Sequence, residues 1–470
     1  MITTGFCLMT ILLGSAAQSR MWSRTPNFNF AEYLDAGVVV PGDIDIHLSV
    51  NVAAPESIER YALWIAEQDP QSPDIRTHMT NLAVMLADAD RYEESIAQLE
   101  MMLRLPGRFK PIRQSPRFRF LGDLRFHEGD YEAAIDAYRT AQQLIHLHAG
   151  VLDPEQVRTV DRVIRAKLNI MRKETYENKI DTLTSADLDQ RFTLYLNEKQ
   201  HGRNSANYAE RLLDVADYMR ETALSLRLPP PRRPTQSPKG SDQERGSRQY
   251  YPEARAPADT IAQERLNRLR RATQYYKAAI DVLEDTLGPD NPALIIPLTS
   301  LSDTLNRRGQ YRQSRNLRQR SIDIALEAPL DLADRVNIIV SAADSFHRRG
   351  EEIALKYYQM AWNLLSEEGE TRLRDRVLGE PRLISGQLQA IRLRKVPTQS
   401  PTLIVRYNVK PTGETSEILV IESNINTVRE RLWLSQIERL VYRPKWTREG
   451  PRGYSGLELH ARFILPSPNR

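Results

Sequence analysis

The sequence predicts a mainly α-helical protein with a small α+β domain towards its C-terminal end. Between about residues 57 and 376, apolar residues recur at three- and four-residue steps, in units that repeat along the chain. Residues 401–466 instead alternate or run apolar over short stretches, which is typical of strands. Aromatic residues make up 7% of the chain, while Arg, Leu, Ala and Glu are plentiful, and this mixture favours helices.

The clearest repeat unit spans residues 118–142. Its first helix is predicted to end at Gly129 and Asp130, and a second helix follows at once. Small residues on the facing stripes permit close approach of the two backbones, and larger side chains fill the gaps between them. Neither helix can bury its stripe alone, so the pair must stack on neighbouring pairs. The stripes are Phe118, Leu121 and Gly122 in the first helix and Tyr131, Ala134, Tyr138 and Ala141 in the second.

The same order of large, small, glycine, tyrosine and alanine residues recurs in units that begin near Met79, Leu298 and Ile339. A fifth unit is split, because residues 212–219 supply its first face and residues 272–279 its second. These units resemble the tetratricopeptide repeat family, including the longer variants related to kinesin light chains. The resemblance implies a right-handed superhelix of helical hairpins that binds other proteins or peptides.

Two stretches interrupt the repeats. Residues 227–260 are rich in Pro, Arg, Ser and Gly, and we predict a disordered insert there, with a Pro-rich docking peptide as the alternative. Residues 153–200 have helical periods but match the repeat poorly. We interpret them as one or two degenerate pairs.

Residues 401–466 predict a strand–turn–strand–helix–strand unit, in which Gly413 takes the positive φ of the turn. Tyr442, Arg443 and Pro444 are expected to end its helix. The predicted elements are strands at 403–407, 418–421 and 457–465 and a helix at 430–440.

This region resembles the C-terminal domain of TonB-type energy transducers, in the turn glycine, the Tyr-Arg-Pro sequence at 442–444, Gly450 and the final amphipathic strand. The resemblance implies a periplasmic domain that binds partners through an exposed sheet edge, sometimes by adding a partner strand. No spanning helix that could reach an inner-membrane motor is predicted, so energy coupling is not expected. The partner-binding residues that we expect in the final strand are Leu457, Leu459, Ala461 and Phe463.

Residues 1–19 are predicted to be a signal peptide. Residues 6–13 form an almost unbroken apolar run, and Ser15 and Ala17 then stand two apart, as a signal-peptidase site requires. The run is well short of the about 20 residues that span a membrane. No Lys or Arg precedes Arg20, so a cytoplasmic protein with an unprocessed start is the alternative.

Residues 20–56 are predicted to be an extended lead-in, and residues 377–400 a linker. The single cysteine, Cys7, lies in the predicted signal peptide, so cleavage would leave a mature protein without cysteine. An oxidising compartment tolerates such a protein well. We therefore expect a periplasmic or secreted protein.

The charge and the motif inventory predict neither nucleic-acid binding nor catalysis. The chain has 65 basic and 61 acidic residues and a net charge of +4, so its surface is mixed rather than basic. It contains no phosphate-loop, dinucleotide-binding or H-E-x-x-H motif. His146 and His148 would project about 200° apart on a helix and could not share a metal ion. We predict no enzyme, cofactor or metal site, with an envelope hydrolase as a less favoured alternative.

The sequence-based candidate site is the groove of the stacked repeats. First-helix side chains opposite the packing stripe are expected to face it, although ordinary solvated surface is the alternative for any one of them. We predict an exported cell-envelope adaptor for other proteins, including envelope or outer-membrane proteins, with a cytoplasmic regulatory scaffold as the alternative. The groove candidates are Arg119, Asp123 and His127 in the first unit and Asp303, Asn306 and Arg307 in a later one.

Overall fold

The computed structural model describes residues 22, 26, 28–35, 38, 55–72, 74–105, 111–226, 257–386, 388–393 and 399–464. The predicted signal peptide, much of the lead-in and most of the predicted insert lie outside these residues. The contacts divide the chain into two compact units, residues 1–315 and residues 316–470.

The first unit consists of helices that pack as consecutive hairpins, which confirms the predicted helical repeats. The paired helices are α2 with α3, α4 with α5, α6 with α7 and α8 with α9. Among the described residues, no helix is long and apolar enough to cross a membrane. The helices are α1 Pro55–Ala66, α2 Ile75–Asp88, α3 Tyr92–Arg104, α4 Ser115–Glu128, α5 Tyr131–His148, α6 Glu155–Lys173, α7 Tyr176–His201, α8 Ala206–Ser225, α9 Pro257–Leu287 and α10 Ile295–Arg307, and α11 Tyr311–Glu327 contains the division between the units.

The pair α4–α5 shows why the sequence forms hairpins. Gly129 follows α4 with a φ of 83°, a left-handed conformation that ends helices at little cost in glycine. Asp130 then caps α5, because its carboxylate accepts a hydrogen bond from the backbone three residues further on. Gly122 faces the ring of Tyr138 so closely that a Cβ atom would overlap it. The glycine therefore sets the close spacing of the two helices.

Residues 153–200 and the split unit each form a complete helix pair. Residues 153–200 form one pair, α6 and α7, rather than two. The split unit is confirmed, since α8 packs against α9 and both predicted faces are buried. Helix α9 begins at Pro257, inside the predicted insert 227–260, because proline is well suited to a first helical turn.

The second unit contains the last helix pair and all the strands that the described residues form. Its helices are α12 Leu332–His347, α13 Ile353–Glu367, α14 Thr371–Leu378 and α15 Thr427–Ile437. Strands β4, β3 and β8 form an antiparallel sheet in that order, β1 pairs with β5, β6 with β7, and β2 with β9 in parallel. The strands are β1 Arg382–Ser385, β2 Ile391–Arg392, β3 Leu403–Val409, β4 Thr415–Ser423, β5 Val441–Arg443, β6 Lys445–Thr447, β7 Gly450–Arg452, β8 Tyr454–His460 and β9 Phe463–Ile464.

Several predicted boundaries in this region are wrong. The predicted linker contains β1 and β2, which pair with later strands. The predicted helix at 430–440 begins and ends three residues earlier, at Thr427–Ile437. Tyr442 and Arg443 do not end that helix but form β5, because their backbone pairs with β1. The final strand breaks near Ala461, so β8 pairs with β3 and β9 with β2. Gly413 has a φ of 81°, as predicted.

The strand region packs directly on the last helix pair. Trp446 of β6 is buried in the core formed by α12 and α13, and its ring centroid lies 5.6 Å from that of Tyr358. Arg443 of β5 reaches Asp344 of α12, with Nη2 2.6 Å from a carboxylate oxygen. Trp446 therefore joins the strand region to the core of the last helix pair, while the sheet has a hydrophobic core of its own.

Candidate functional site

The first helices of four successive pairs all contact a stretch of chain that lies outside the repeats. We call residues 28–35 the groove segment. Its Asp35 contacts α2, Tyr33 contacts α4 and Glu32 contacts α6, while Trp22 contacts α6 and α8. With increasing residue number, the contacts thus run against the order of the helix pairs. We call the face made by α2, α4, α6 and α8 the groove.

The carboxylate of Asp123 on α4 lies at the centre of the occupied groove and is fully buried. The hydroxyls of Tyr33 and Tyr138 donate hydrogen bonds to it at 2.5 and 2.7 Å, and Nε of Arg162 donates at 2.7 Å. Burial raises the pKa of Asp123, and the charge of Arg162 opposes that shift. Burial also raises the pKa of both tyrosines, so their hydroxyls stay protonated and can donate.

Aromatic rings of the groove segment cover α4. The ring of Tyr33 stacks on Phe120 with centroids 4.7 Å apart and an angle of 15° between the planes. The ring centroid of Phe30 lies 5.7 Å from that of Phe120. The guanidinium of Arg119 lies 5.8 Å from the centroid of the Tyr33 ring, within the range of a cation–π interaction. The segment is therefore held by a pocket that selects aromatic side chains.

The backbone of the groove segment is held by one side-chain amide. Asn81 on α2 is fully buried, and its Oδ1 accepts a hydrogen bond from the amide of Asp35 at 2.9 Å. Its Nδ2 donates to the carbonyl of Asp35 at 2.7 Å. This pair of bonds holds the backbone just after the 3-10 helical turn Phe30–Tyr33 and does not use the side chain at position 35.

Positive charge on α6 matches negative charge on the groove segment. The carboxylate of Glu32 forms ion pairs with Arg158 and with Arg162, the latter at 2.7 Å. Arg162 thereby joins Glu32 to the buried Asp123. Since α6 comes from another helix pair than α4, the segment is clamped between two repeats.

Trp22 lies further along the groove, next to an open cavity. Its ring is buried and meets Tyr218 of α8 edge-on at 5.6 Å, while Arg172 of α6 donates to its backbone carbonyl at 3.1 Å. The cavity has a volume of about 600 Å³. Residues of α6, α8 and α10 that line it include Leu168, Met171, Arg220, Glu221, Asp303 and Arg307.

The first three predicted groove residues differ in where the structure places them. Arg119 and Asp123 are buried rather than solvent-exposed, because the groove segment covers α4. Arg119 also forms an ion pair with Glu155 at 2.8 Å. His127 is exposed and stacks on Tyr92 of α3 at 4.0 Å, so it contacts the second helix of the preceding pair.

The later predicted residues lie at the open end of the groove. Asp303 and Arg307 line the cavity beside Trp22. Asn306 is half-buried and is not among the residues that line it. Partner binding by these three residues stays a prediction.

The predicted edge residues of the C-terminal strands point inward. Leu457, Leu459, Ala461 and Phe463 are partly buried and pack against the core of this sheet. The exposed alternates in β8 are Glu458 and His460. A partner strand would therefore meet the backbone of β8 rather than the four apolar side chains.

The backbone groups at the outer edge of β8 follow from its register. The amide of Ala461 donates to the carbonyl of Leu403, and the pairs Val405–Leu459 and Tyr407–Leu457 follow at two-residue steps. Because hydrogen-bonded pairs alternate along an antiparallel ladder, the amides of the intervening residues point away from β3. Within residues 399–464, β8 has a hydrogen-bonded neighbour on one side only.

Sequence reasoning did not find the residues that occupy and clamp the groove. Tyr33 lies in the predicted lead-in, and no pattern on α2 marks Asn81. A usable signal was present on α6, where Arg158, Arg162 and Arg165 recur at four- and three-residue steps along one helix face. It fell in the stretch that matches the repeat poorly. In the described part of the chain, no group of three or more His, Cys, Asp or Glu residues is placed to hold a metal ion.

The chain is a helical-repeat protein. No protein-family model matches it, and no curated protein matches it in sequence. Among solved structures, a Podosopora anserina protein described as a kinesin light chain with nearly identical TPR-like repeats is 10% identical, with a TM-score of 0.36 over 55% of this chain and 99% of that one. BtubC from P. vanneervenii is 14% identical over 73% and 98%, and the apo form of RapI 10% identical over 67% and 70%, each with a TM-score of 0.33. The functional evidence comes from the groove itself.

Proposed function

We propose that the protein is an interaction adaptor whose repeats bind a short polypeptide segment. The supporting observation is that the groove contacts residues 28–35 through ring stacking, ion pairs and backbone hydrogen bonds at once. These contacts come from helices of three different pairs, so the binding face exists only when the pairs are stacked. A solenoid offers such an extended concave surface for a polypeptide.

A second binding surface is proposed at the outer edge of β8. The support is its unpaired backbone edge in the described region and the resemblance of residues 401–466 to the TonB C-terminal domain. An exposed edge presents a row of amides and carbonyls to which a partner strand can add. With a groove in the repeats and an edge in the strand region, one chain could hold two partners.

Export to the cell envelope is the third part of the proposal. The support is the apolar run at residues 6–13 and the small residues at 15 and 17. Mass spectrometry of the protein isolated from cell fractions tests it. We expect a mature N-terminus close to residue 20 in the periplasmic fraction. An intact protein in the cytosol would instead favour the regulatory scaffold.

Co-purification with the tagged full-length chain tests the adaptor. Arg307→Glu reverses an exposed charge beside the open cavity, and His460→Pro removes one outward amide from β8, an edge strand where proline is tolerated. We expect each variant to lose a different partner. If both variants keep every partner that the wild type retains, the adaptor proposal is wrong.

Two matched controls keep this test specific. Arg104→Glu reverses a charge on α3 whose side chain is 80% exposed and pairs with Glu100 of the same helix, so it should lose no partner. His460→Ala keeps the outward amide of β8 while removing the same side chain. It should behave as the wild type if the backbone edge is the binding group.

A further inference from the structure

The groove segment contacts the repeats as a bound peptide would. Asn81 binds its backbone, and two arginines pair with its Glu32. The ring of Tyr33 is stacked, and the Tyr33 hydroxyl donates a hydrogen bond. These are separate recognition chemistries, each aimed at a different residue of an eight-residue stretch. Such a set specifies a sequence pattern of aromatic residues followed by a carboxylate and a tyrosine, held in a short 3-10 helical turn at Phe30–Tyr33.

The electrostatics of the groove favour an acidic ligand. Glu32 faces Arg158 and Arg162, while Arg119 lies near the Tyr33 ring. The buried Asp123 already accepts hydrogen bonds from Tyr138 and Arg162 besides Tyr33, and Glu155 of α6 is paired with Arg119. The cations on α6 are thus left to select a carboxylate in the ligand.

The segment is joined to α1 through residues 36–54, so it competes for the groove as part of the same molecule. A ligand in the same chain acts at an effective concentration on the order of millimolar when its connection lets it reach the site. An external segment of similar affinity would then bind only weakly until the tethered one is released. The groove in the present structure is therefore a closed state of the binding site.

We propose that residues 28–35 are a displaceable internal ligand that closes the repeat groove, and that the external partner presents an acidic–aromatic segment of the same pattern. This inference rests on the proposed function of the groove. It adds the chemistry of the partner segment and an inhibitory role for the chain's own N-terminal region. The open cavity beside Trp22 gives a longer partner segment room to extend along α8 and α10.

The test uses the full-length chain and a fluorescent synthetic peptide with the sequence of residues 26–38. A release variant, Glu32→Gln with Tyr33→Ala, removes the ion pairs, the stacking and the hydrogen bond of the internal ligand. Fluorescence anisotropy should show the peptide binding to the release variant at least about tenfold more tightly than to the wild type. Circular dichroism and thermal melting establish that the variant keeps its helices.

Second-site changes in the release variant identify the groove as the binding site. Arg158→Glu reverses a half-exposed charge that pairs with Glu32, and it should weaken peptide binding about tenfold. Arg104→Glu, the exposed control on α3, should leave binding unchanged. A peptide of scrambled sequence should not bind.

Three results would overturn the inference. Equal affinity of wild type and release variant would mean that the segment does not close the groove. No binding to a folded release variant would mean that this sequence pattern is not a ligand. A concentration-dependent wild-type dimer that the release variant does not form would mean that the segment is exchanged between two copies. None of these decides the adaptor proposal, which fails only if the Arg307→Glu and His460→Pro variants keep all partners.

Discussion

Two carboxylates, the buried Asp123 and the partly buried Asp344, occupy corresponding places in two helix pairs. Each follows a small residue of the first helix, Gly122 or Ala343, and each accepts a hydrogen bond at 2.7 Å from a tyrosine of the second helix. Small residues at these positions permit the helices to approach closely enough for the bond. The hydrogen bond is therefore part of the hairpin itself.

The two sites differ in what supplies the positive charge. Asp123 is paired with Arg162, which belongs to the first helix of the next pair. Asp344 is paired with Arg443, which belongs to strand β5. Strand β5 thus supplies the positive charge in the second unit, whereas the following helix pair supplies it in the first unit. The comparison teaches that the strand region pairs with the carboxylate of the last helix pair, where a further repeat would otherwise supply the positive charge.

The remaining hydrogen-bond donors to the two carboxylates differ as well. Asp123 accepts a further hydrogen bond from Tyr33 of the groove segment. Asp344 instead receives two hydrogen bonds from the guanidinium of Arg443, at 2.9 and 2.6 Å. One site is therefore completed by a segment that could be displaced and the other by a structural strand.

The largest effect is expected from Arg443→Met. The Arg443 side chain is 6% exposed, and its loss leaves the partly buried Asp344 with the hydrogen bond from Tyr358 alone, so the free energy of unfolding should fall by about 3 kcal/mol. Urea denaturation followed by circular dichroism measures the change. Arg452→Met, which removes an exposed pair with Glu449, should cost less than about 1 kcal/mol. Equal losses in the two variants would contradict the role of Arg443.

A smaller and divided effect is expected from the two tyrosines that share Asp123. Tyr138→Phe removes a hydrogen bond to a buried carboxylate and should lower the free energy of unfolding by about 1.5–3 kcal/mol. Tyr33→Phe removes a bond of the same kind, but we expect most of its effect in local release of the groove segment. Hydrogen exchange of the Asp35 amide reports that release.

Hydrogen exchange at Asp35 and the denaturation midpoint must respond differently to the two variants for this comparison to hold. Tyr33→Phe should accelerate exchange at Asp35 with little change in the global denaturation midpoint. Tyr138→Phe should lower the midpoint more than it changes exchange at Asp35. If Tyr33→Phe lowers the midpoint as much as Tyr138→Phe does, the segment is a fixed part of the core rather than a displaceable ligand.

The sequence predicts the hairpins because their evidence is local. Glycine at 129, the facing small residues and the tyrosine at 138 all lie within one unit, and the structure confirms them. The same local evidence located the turn at Gly413. A pattern at fixed spacing is enough wherever each residue contacts residues of its own hairpin.

The groove and the end of the repeats depend on contacts between residues far apart in the chain. Tyr33 and Asp123 are 90 positions apart, and Arg443 and Asp344 are 99 apart. Asp123 carries the same sequence signal whether it faces solvent or is covered, so burial by the groove segment could not be predicted. Arg443 was assigned to a helix end because its pairing partner, β1, lay in a predicted linker.

The smallest expected effect is a pH dependence at His347, near the end of α12. Its half-buried ring lies against Gly413, where a Cβ atom would meet its Nε2, and edge-on to Tyr358 at 5.9 Å. Burial lowers the pKa of His347, while backbone oxygens of Tyr442 and Thr412 and the charge of Asp344 oppose the shift. The folded protein therefore binds this proton less tightly than the unfolded chain does.

The sign of the pH effect follows from that difference. Above about pH 6.5 the imidazole is neutral in both states, so it adds no pH dependence. As the pH falls below that value, the unfolded chain takes up the proton first, and the free energy of unfolding decreases. Denaturation of the wild type and of His347→Gln at pH 7.5 and 5.5 measures this contribution by difference, with His460→Gln as the exposed control. A pH dependence unchanged by His347→Gln would show that burial against the Gly413 turn does not lower the pKa of His347.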